Sequence, residues 1–180
     1  MRNVVVTEYI SLDGVIEEPA WTTPYWGDDI ADFKQAELFE SDLLLLGRVT
    51  YEGFAAAWPE MTDEDGFADR MNTMPKLVAT TTDDVPKWNA RFVGEGLVDE
   101  VKRLKEEPGM NILVYGSATL VQTLVKHNLI DEYRLLVYPV LLGEGRRLFD
   151  EGTAASLELV EARPFESGVV ALIYRPAPQP

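Results

Sequence analysis

The sequence predicts an α/β protein with a mixed, mostly parallel sheet that ends in an antiparallel hairpin. Short apolar runs rich in β-branched residues alternate with segments of helical period, which is typical of βαβ units. Residues 43–46 are all leucine, as expected for a parallel strand that is covered on both faces. After Phe149 the helical period ends, and the apolar runs 157–162 and 169–174 are separated by a short Gly-containing turn, which predicts the hairpin.

The other elements follow one of two local patterns. Apolar runs of strand length predict strands at 4–10, 43–46, 76–82, 111–115 and 133–138. Apolar residues spaced three and four apart predict helices at 28–40, 48–58, 97–106 and 117–128. The second of these helices begins near Arg48 and is stopped by Pro59. Residues 61–73 are acidic and polar, and we expect a loop with a short helix there.

Length and charge limit the possible classes. The chain has 180 residues, and we expect one domain over 1–176 with a frayed, Pro-rich tail at 177–180. Its 31 acidic and 16 basic residues give a net charge of −15, which disfavours binding to nucleic-acid phosphates. No apolar stretch has the length of a membrane span or of a signal peptide core, so we expect a cytoplasmic protein without membrane contact.

The residue types also limit the chemistry. The chain contains no cysteine and one histidine, which excludes disulfides, iron–sulfur clusters, thiolate zinc sites and His-rich metal centres, so no metal site is predicted. Any reaction must therefore use carboxylates, hydroxyls, backbone groups or an organic cofactor.

Two strand-to-helix turns are candidate anion sites. Gly47-Arg48-Val49-Thr50 follows the leucine strand, and Gly116-Ser117-Ala118-Thr119 follows the strand at 111–115. In parallel sheets ligands bind beyond the carboxyl ends of the strands, where helix starts offer unpaired N–H groups. A diphosphate held between two helix starts would suit this pair, although each turn alone is also ordinary turn chemistry. Neither segment is a GxGxxG or a GxxxxGK[ST] motif.

Four segments, in order along the chain, resemble the dihydrofolate-reductase-like superfamily. They are SLDG at 11–14, LLLGRVTYE at 44–52, VYGSA at 114–118 and YPVLLGEG at 138–145. Within the superfamily the chain is most similar to the C-terminal reductase domain of the bifunctional riboflavin-biosynthesis deaminase/reductase, in a stand-alone bacterial form. The resemblance implies a three-layer α/β/α fold, a homodimer and NADPH as the hydride donor. The deaminase half of that enzyme needs Cys and His zinc ligands, and since these 180 residues contain no cysteine and one histidine, we expect no deamination of that kind.

The resemblance also implies which residues hold the cofactor. Arg48 matches the arginine that commonly meets the 2′-phosphate of NADPH, and Thr80 and Thr81 match hydroxyl contacts to the adenosine ribose phosphate. The other residues belong to the two phosphate-binding turns. The full implied set is Gly47, Arg48, Thr50, Thr80, Thr81, Gly116, Ser117, Ala118 and Thr119.

Asp29 and Asp13 are the catalytic candidates. The segment DIADFK at 29–34 is similar to the substrate helix of dihydrofolate reductases and points to Asp29, although Asp32 stands where an aromatic residue is expected. A carboxylate there can bind an aminopyrimidine edge and favour protonation beside the hydride acceptor. The alternatives are a helix-start acid for Asp29 and an Asp-Gly turn for Asp13. The predicted substrate-binding residues are Leu12, Asp13, Ile16, Trp26, Asp29 and Phe33.

The loop before this helix holds Trp21, Tyr25 and Trp26, which either wall a planar substrate or anchor the loop. The predicted function is NADPH-dependent hydride transfer to a planar heterocycle, resembling 5-amino-6-(5-phosphoribosylamino)uracil reductase or dihydrofolate reductase. The alternative is a dimeric NADP(H)-binding sensor or interaction protein with weak turnover.

Overall fold

The computed structural model describes residues 1–178, which form an eight-stranded sheet flanked by helices. The strands are β1 Val4–Ser11, β2 Ser41–Gly47, β3 Lys76–Ala79, β4 Ala90–Val93, β5 Asn111–Val114, β6 Glu132–Tyr138, β7 Leu157–Pro164 and β8 Val170–Pro176. The α-helices are α1 Asp28–Phe39, α2 Arg48–Ala57, α3 Phe67–Thr73, α4 Leu97–Glu106 and α5 Ala118–Lys126. Two 3-10 segments lie at Pro19–Tyr25 and Trp58–Glu60.

The sheet confirms the predicted α/β class. Its strand order is β4-β3-β2-β5-β1-β6-β8-β7. The six strands from β4 to β6 are parallel, whereas β8 runs antiparallel to β6 and β7 antiparallel to β8. The C-terminal hairpin therefore extends one edge of a parallel sheet.

Helices cover both faces of the sheet, which gives three layers. On one face Leu38 of α1, Tyr51 of α2 and Met71 of α3 share a buried cluster with alternate sheet residues such as Val5. On the other face α4 and α5 pack on the intervening residues, represented by Val6. The alternation arises because successive side chains of a strand point to opposite faces.

Three local differences from the predicted elements have physical reasons. The strand predicted at 76–82 ends at Ala79, because its neighbour β4 ends at Val93: the N–H of Thr80 still donates to the carbonyl oxygen of Val93, and the next threonines lie beyond the end of β4. Strand β4 was not predicted: it is only four residues long and pairs on one side, so its pattern is weak. The aromatic loop before α1 contains the 3-10 segment Pro19–Tyr25.

The connections create a crevice between β2 and β5. The chain leaves β2 through α2 toward β3, and it leaves β5 through α5 toward β6, so the two connections diverge on opposite faces. Such a switch point is where open α/β sheets bind ligands, outside the carboxyl ends of the strands. Strand β1 borders this point, because it pairs with β5 only as far as Val6 and continues to Ser11 beside β6.

Among residues 1–178, no helix is both long enough and apolar enough to cross a bilayer. The tail predicted to fray at 177–180 lies partly outside the described residues. Within them, the N–H of Ala177 donates a hydrogen bond of 2.9 Å to the carbonyl oxygen of Ser156.

Candidate active site

One half of the crevice is a cleft of about 340 Å³ at the carboxyl ends of β2 and β3. Six of the nine residues implied to hold a cofactor line it: Gly47, Arg48, Thr80, Thr81, Ser117 and Thr119. The wall also includes residues that were not predicted: Val49, Ala79, Val93, Gly94, Leu97, Leu120 and Thr123. The sheet edge that includes β4 thus supplies part of the wall.

The starts of α2 and α5 meet at the cleft. The N–H of Gly47 donates to the carbonyl oxygen of Gly116 at 2.9 Å. A Cβ on Gly47 would lie 2.9 Å from the backbone nitrogen of Ser117, so only glycine allows this approach. Within residues 1–178 no side chain caps the start of α2 or of α5. The N–H groups in the first turn of each helix are therefore free to bind an anion, and they lie at the positive end of that helix's dipole. Two uncapped helix starts therefore adjoin one cleft, which suits an anion with several phosphate oxygens.

The remaining implied cofactor residues lie at or beside these helix starts. A Cβ on Gly116, whose φ is +96°, would be 3.6 Å from Thr50 Oγ1, so these two residues are neighbours. Ala118, the first residue of α5, is buried, and its role in cofactor binding stays a prediction. Arg48 is 55% exposed and forms an ion pair with Glu52 at 3.2 Å, one turn along α2.

Asp13 ties two loops together. Its carboxylate accepts hydrogen bonds from Ser11 Oγ at 2.6 Å and from the N–H groups of Leu142 and Gly143 at 3.1 and 2.7 Å. These donors, the Ser11 hydroxyl first, lower the pKa of Asp13 to about 2. A group that stays ionised in this way can orient a neighbour but holds no proton at neutral pH.

Asp29 connects α1 with the C-terminal hairpin. Its Oδ1 accepts from the N–H of Ile30 at 2.9 Å, and its Oδ2 accepts from the N–H of Glu166 at 2.9 Å. Both aspartates thus have structural partners, and the catalytic roles of Asp13 and Asp29 stay predictions.

Aromatic side chains pack around Tyr138 at the ends of β1 and β6. The rings of Tyr9, Trp21 and Tyr25 meet that of Tyr138 edge to face, with centroids 5.8, 5.4 and 5.7 Å away. Trp21 and Tyr25 therefore anchor the 3-10 segment. Trp26 is 51% exposed and meets Tyr9 edge-on at 6.4 Å, so it alone of the three loop aromatics presents a large open surface.

The other predicted substrate residues differ in exposure. Leu12 is exposed, which suits contact with a ligand. Phe33 is buried against the ring of Phe165 at 5.7 Å, and Ile16 is half-buried against the core on the α4 and α5 face. The packing of Phe33 and Ile16 accounts for their apolar character, and their binding roles stay predictions.

A buried polar cluster between α1 and β1 was missed at the sequence level. Lys34 Nζ donates to Thr7 Oγ1 at 2.7 Å and pairs with Glu37 at 2.5 Å, and both charged side chains are buried. The ammonium group lies over the rings of Tyr9 and Tyr115, 5.2 and 4.9 Å from their centroids. The available signal was a lysine and a glutamate on the same helical face as Ile30 and Leu38.

Glu8 was also missed, although a charged residue inside the run VVVTEYI is a signal of function or strain. Glu8 is 9% exposed, and its Oε1 atom has no hydrogen-bond partner among residues 1–178. Burial raises its pKa to about 8, and the charge of Lys34 offsets part of that rise. A Cβ on Gly116 would lie 3.0 Å from Glu8 Oε1, which puts the carboxyl group against the α5 turn.

Residues 2–171 match the family described as the RibD C-terminal domain. The chain belongs to this family. The match confirms the resemblance carried by the four sequence segments and the dihydrofolate-reductase-like fold. Family membership supports a reductase-like function.

Relatives of this RibD C-terminal domain extend over nearly its whole length. The uncharacterized protein YyaP of Bacillus subtilis (strain 168) is 32% identical over 181 residues, which covers 96% of this chain and 94% of YyaP. A structure described as a riboflavin biosynthesis protein of Shewanella sp. PV-4 aligns with a TM-score of 0.79 at 23% identity, over 99% of this chain and 100% of that one. Dihydrofolate reductase of Enterococcus faecalis, solved with NADP(H), aligns with a TM-score of 0.62 at 17% identity, over 96% and 93%. The two structures show the shared fold.

Proposed function

We propose that this RibD C-terminal domain is an NADPH-dependent reductase that transfers a hydride to a planar heterocycle. The observation that carries the proposal is the meeting of two uncapped helix starts, those of α2 and α5, in one cleft that also holds Arg48. Amide donors, helix dipoles and a guanidinium group at one place match a diphosphate with a further phosphate nearby.

Different residues of the chain would bind different parts of the cofactor. The helix starts at Gly47 and Ser117 would bind the diphosphate. Arg48 would bind the 2′-phosphate, together with the hydroxyls of Thr80 and Thr81. The bound nicotinamide supplies the hydride, whereas the protein supplies position and electrostatics. Because this cofactor is an intracellular metabolite, the proposal includes a cytoplasmic location.

The substrate would occupy the other half of the crevice, where β1, α1 and the aromatic loop meet. The open face of Trp26 and the exposed side chain of Leu12 offer apolar contact to a flat ring. Asp29 and Asp13 would orient the polar edge of that ring. A ribosylated aminouracil of riboflavin biosynthesis and a dihydropterin both have such an edge.

Loss of NADPH absorbance in the presence of candidate heterocycles tests the proposal. The panel contains 5-amino-6-(5-phosphoribosylamino)uracil, a dihydropterin and dihydrofolate. NADH at equal concentration is the matched cofactor control. We expect oxidation of NADPH with at least one heterocycle and markedly slower oxidation of NADH. Failure of the protein to bind either cofactor, measured by quenching of its tryptophan fluorescence, would contradict the proposal.

A dimeric NADP(H)-binding sensor without efficient turnover is the second candidate. The observation that favours it is that the carboxylates of Asp13 and Asp29 already accept hydrogen bonds from the chain. The same assay separates the two functions, because a sensor would bind NADPH tightly and oxidise it with no member of the panel.

A further inference from the structure

Glu8 borders the crevice at the point where β5 ends. The last residue of β1 that pairs with β5 is Val6, opposite Val114, whereas Glu8 pairs only with β6, opposite Leu135. On the β5 side of Glu8 the ladder is replaced by the turn that begins α5. The carboxyl group faces this turn, as its distance to a Cβ on Gly116 shows.

The carboxyl group has an unused hydrogen-bonding position. Its Oε1 is buried and finds no donor or acceptor among the described residues. Nearly all buried side-chain polar atoms in proteins have a partner, so an unpaired one at a ligand crevice indicates a partner that arrives with the ligand. The neighbouring buried charge, Lys34, is already satisfied by Thr7 and Glu37 and does not fill this position.

The cleft geometry indicates which part of a ligand would reach Glu8. The cleft extends from the end of β3, at Thr80, to the start of α5, at Ser117. Glu8 lies on the opposite side of the Gly116 turn. A dinucleotide with one nucleoside in this cleft and its diphosphate at the helix starts must direct its second half past Gly116 toward β1.

We propose that Glu8 binds an amide group of the ligand half that lies beside β1, with its carboxyl group neutral. The inference rests on the proposed function. The O–H of a neutral carboxylic acid can donate to the carbonyl oxygen of an amide while its C=O accepts from an N–H of the same amide, so the two groups can form a pair of hydrogen bonds. The amide belongs either to the carboxamide of the nicotinamide or to a lactam of the heterocycle.

The charges around Glu8 support the neutral form. Burial raises its pKa to about 8, and Lys34 from α1 is the charged group that counteracts this. Tyr9, its neighbour on β1, has a pKa above its usual value and stays uncharged. Thr50 from α2 and Gly116 from the α5 turn approach the same place and do not titrate. A neutral Glu8 also avoids repulsion of an anionic cofactor.

Calorimetric titrations of the whole chain test the inference with two ligands. One is NADPH, and the other is 2′-phospho-ADP-ribose, which has the same phosphates and adenosine but no nicotinamide. The variants are Glu8→Ala, Glu8→Gln and the control Glu132→Gln. Glu132 is also a buried acid, but it lies at the amino end of β6, pairs with Arg134 and Arg175, and is far from the α5 turn in the sheet.

We expect Glu8→Ala to weaken NADPH binding about tenfold, the effect of losing one to two hydrogen bonds, and to leave binding of the fragment unchanged. Glu8→Gln should retain NADPH affinity near pH 7, because glutamine also donates and accepts. At alkaline pH the unmodified protein should take up more protons on binding NADPH than on binding the fragment, and in Glu8→Gln this difference should be absent. Glu132→Gln should bind both ligands normally.

Several results would decide the matter. If Glu8→Ala binds NADPH normally but its NADPH complex binds a dihydropterin about tenfold more weakly, the amide partner is the heterocycle. Normal binding of both NADPH and the dihydropterin would overturn the inference while the proposed function stands. Equal weakening of NADPH and the fragment would overturn it as well, by showing general damage to the site. If the unmodified protein binds neither nucleotide, the proposed function fails, and the inference fails with it.

Discussion

Arg48→Ala is the substitution that tests the cofactor assignment most directly. The guanidinium group stands at the start of α2 beside the cleft, and among residues 1–178 its one side-chain partner is Glu52 on its own helix. In the proposed complex it leaves Glu52 and meets the 2′-phosphate, which NADH lacks. Removal of the side chain should therefore weaken NADPH and spare NADH.

The expected magnitude follows from the exposure of both groups. A hydrogen bond to a charged group contributes about 1.5–3 kcal/mol, and the 55% exposure of Arg48 places this contact in the lower part of that range. The ion pair with Glu52 is worth about 0.3–0.5 kcal/mol and is lost on binding. The difference is about 1–2 kcal/mol, which corresponds to a loss of about 5- to 30-fold in NADPH affinity.

Two further variants check this account. Glu52→Gln removes the competing partner and should improve NADPH binding by about twofold, the equivalent of the lost ion pair. Arg103→Ala removes an arginine of nearly the same exposure, 54%, whose partners are Glu100 and Glu107, and should change neither cofactor. Fluorescence titration with NADPH and NADH measures all three variants. Equal losses for the two cofactors in Arg48→Ala would refute the assignment of Arg48 to the 2′-phosphate.

Four other predictions concern catalysis, pH, assembly and salt. Asp29→Asn should lower single-turnover oxidation of NADPH and spare cofactor affinity; unchanged turnover would leave Asp29 as the acid that holds the hairpin at Glu166. Because the folded pKa of Asp13 is about 2, below its unfolded value of about 3.9, its stabilising effect should be complete above about pH 5 and disappear toward about pH 1, so urea unfolding of Asp13→Asn and the unmodified protein should converge at the acid end of that range. Strand β7 lies at the edge of the sheet and exposes Leu159 and Val160, and we expect a homodimer that forms through this strand. Light scattering should show a dimer for the unmodified protein and a monomer for Leu159→Lys. A monomeric unmodified protein at micromolar concentration would exclude this interface. The protein has a net charge of −15 and should repel the anionic NADPH at long range, and salt screens this repulsion. The association rate measured by stopped-flow should therefore not fall between low salt and about 0.15 M, where the Debye length is about 8 Å. A steep fall would show that a local basic field dominates.

The elements that could be predicted from the sequence are those that bury a whole face or a continuous stripe of apolar side chains. The unbroken leucine run of β2 marks a strand that is covered on both faces, and the helical spacing of apolar residues in α4 and α5 marks helices that each bury one stripe. Strand β4 and the 3-10 segment Pro19–Tyr25 escaped prediction for the opposite reason. Their conformation depends on neighbours distant in sequence, namely β3 for the strand and the ring of Tyr138 for the aromatic loop.

The half of the site that we propose for the nucleotide was more predictable than the half that we propose for the substrate. Gly47 and Gly116 stand at strand-to-helix turns, so local sequence shows both the turn and its amide donors. Glu8 and Lys34 occupy positions that a local pattern assigns to the core. Their role depends on what faces them across the layers, which only the assembled sheet shows. Pairing of Asp13 with Leu142 and Gly143 likewise joins segments far apart along the chain.

The close approach of Gly47 to Ser117 has a consequence for how this protein can evolve. Because the two helix starts touch through backbone atoms, neither can move without displacing the other, and no larger side chain can be inserted between them. The 3-10 segment Pro19–Tyr25 is held differently, since Trp21 and Tyr25 anchor it by ring contacts with Tyr138. Under the proposed function, sequence change in that segment would alter substrate choice while the cleft at the helix starts keeps its shape, so that one cofactor site could serve a series of different substrates.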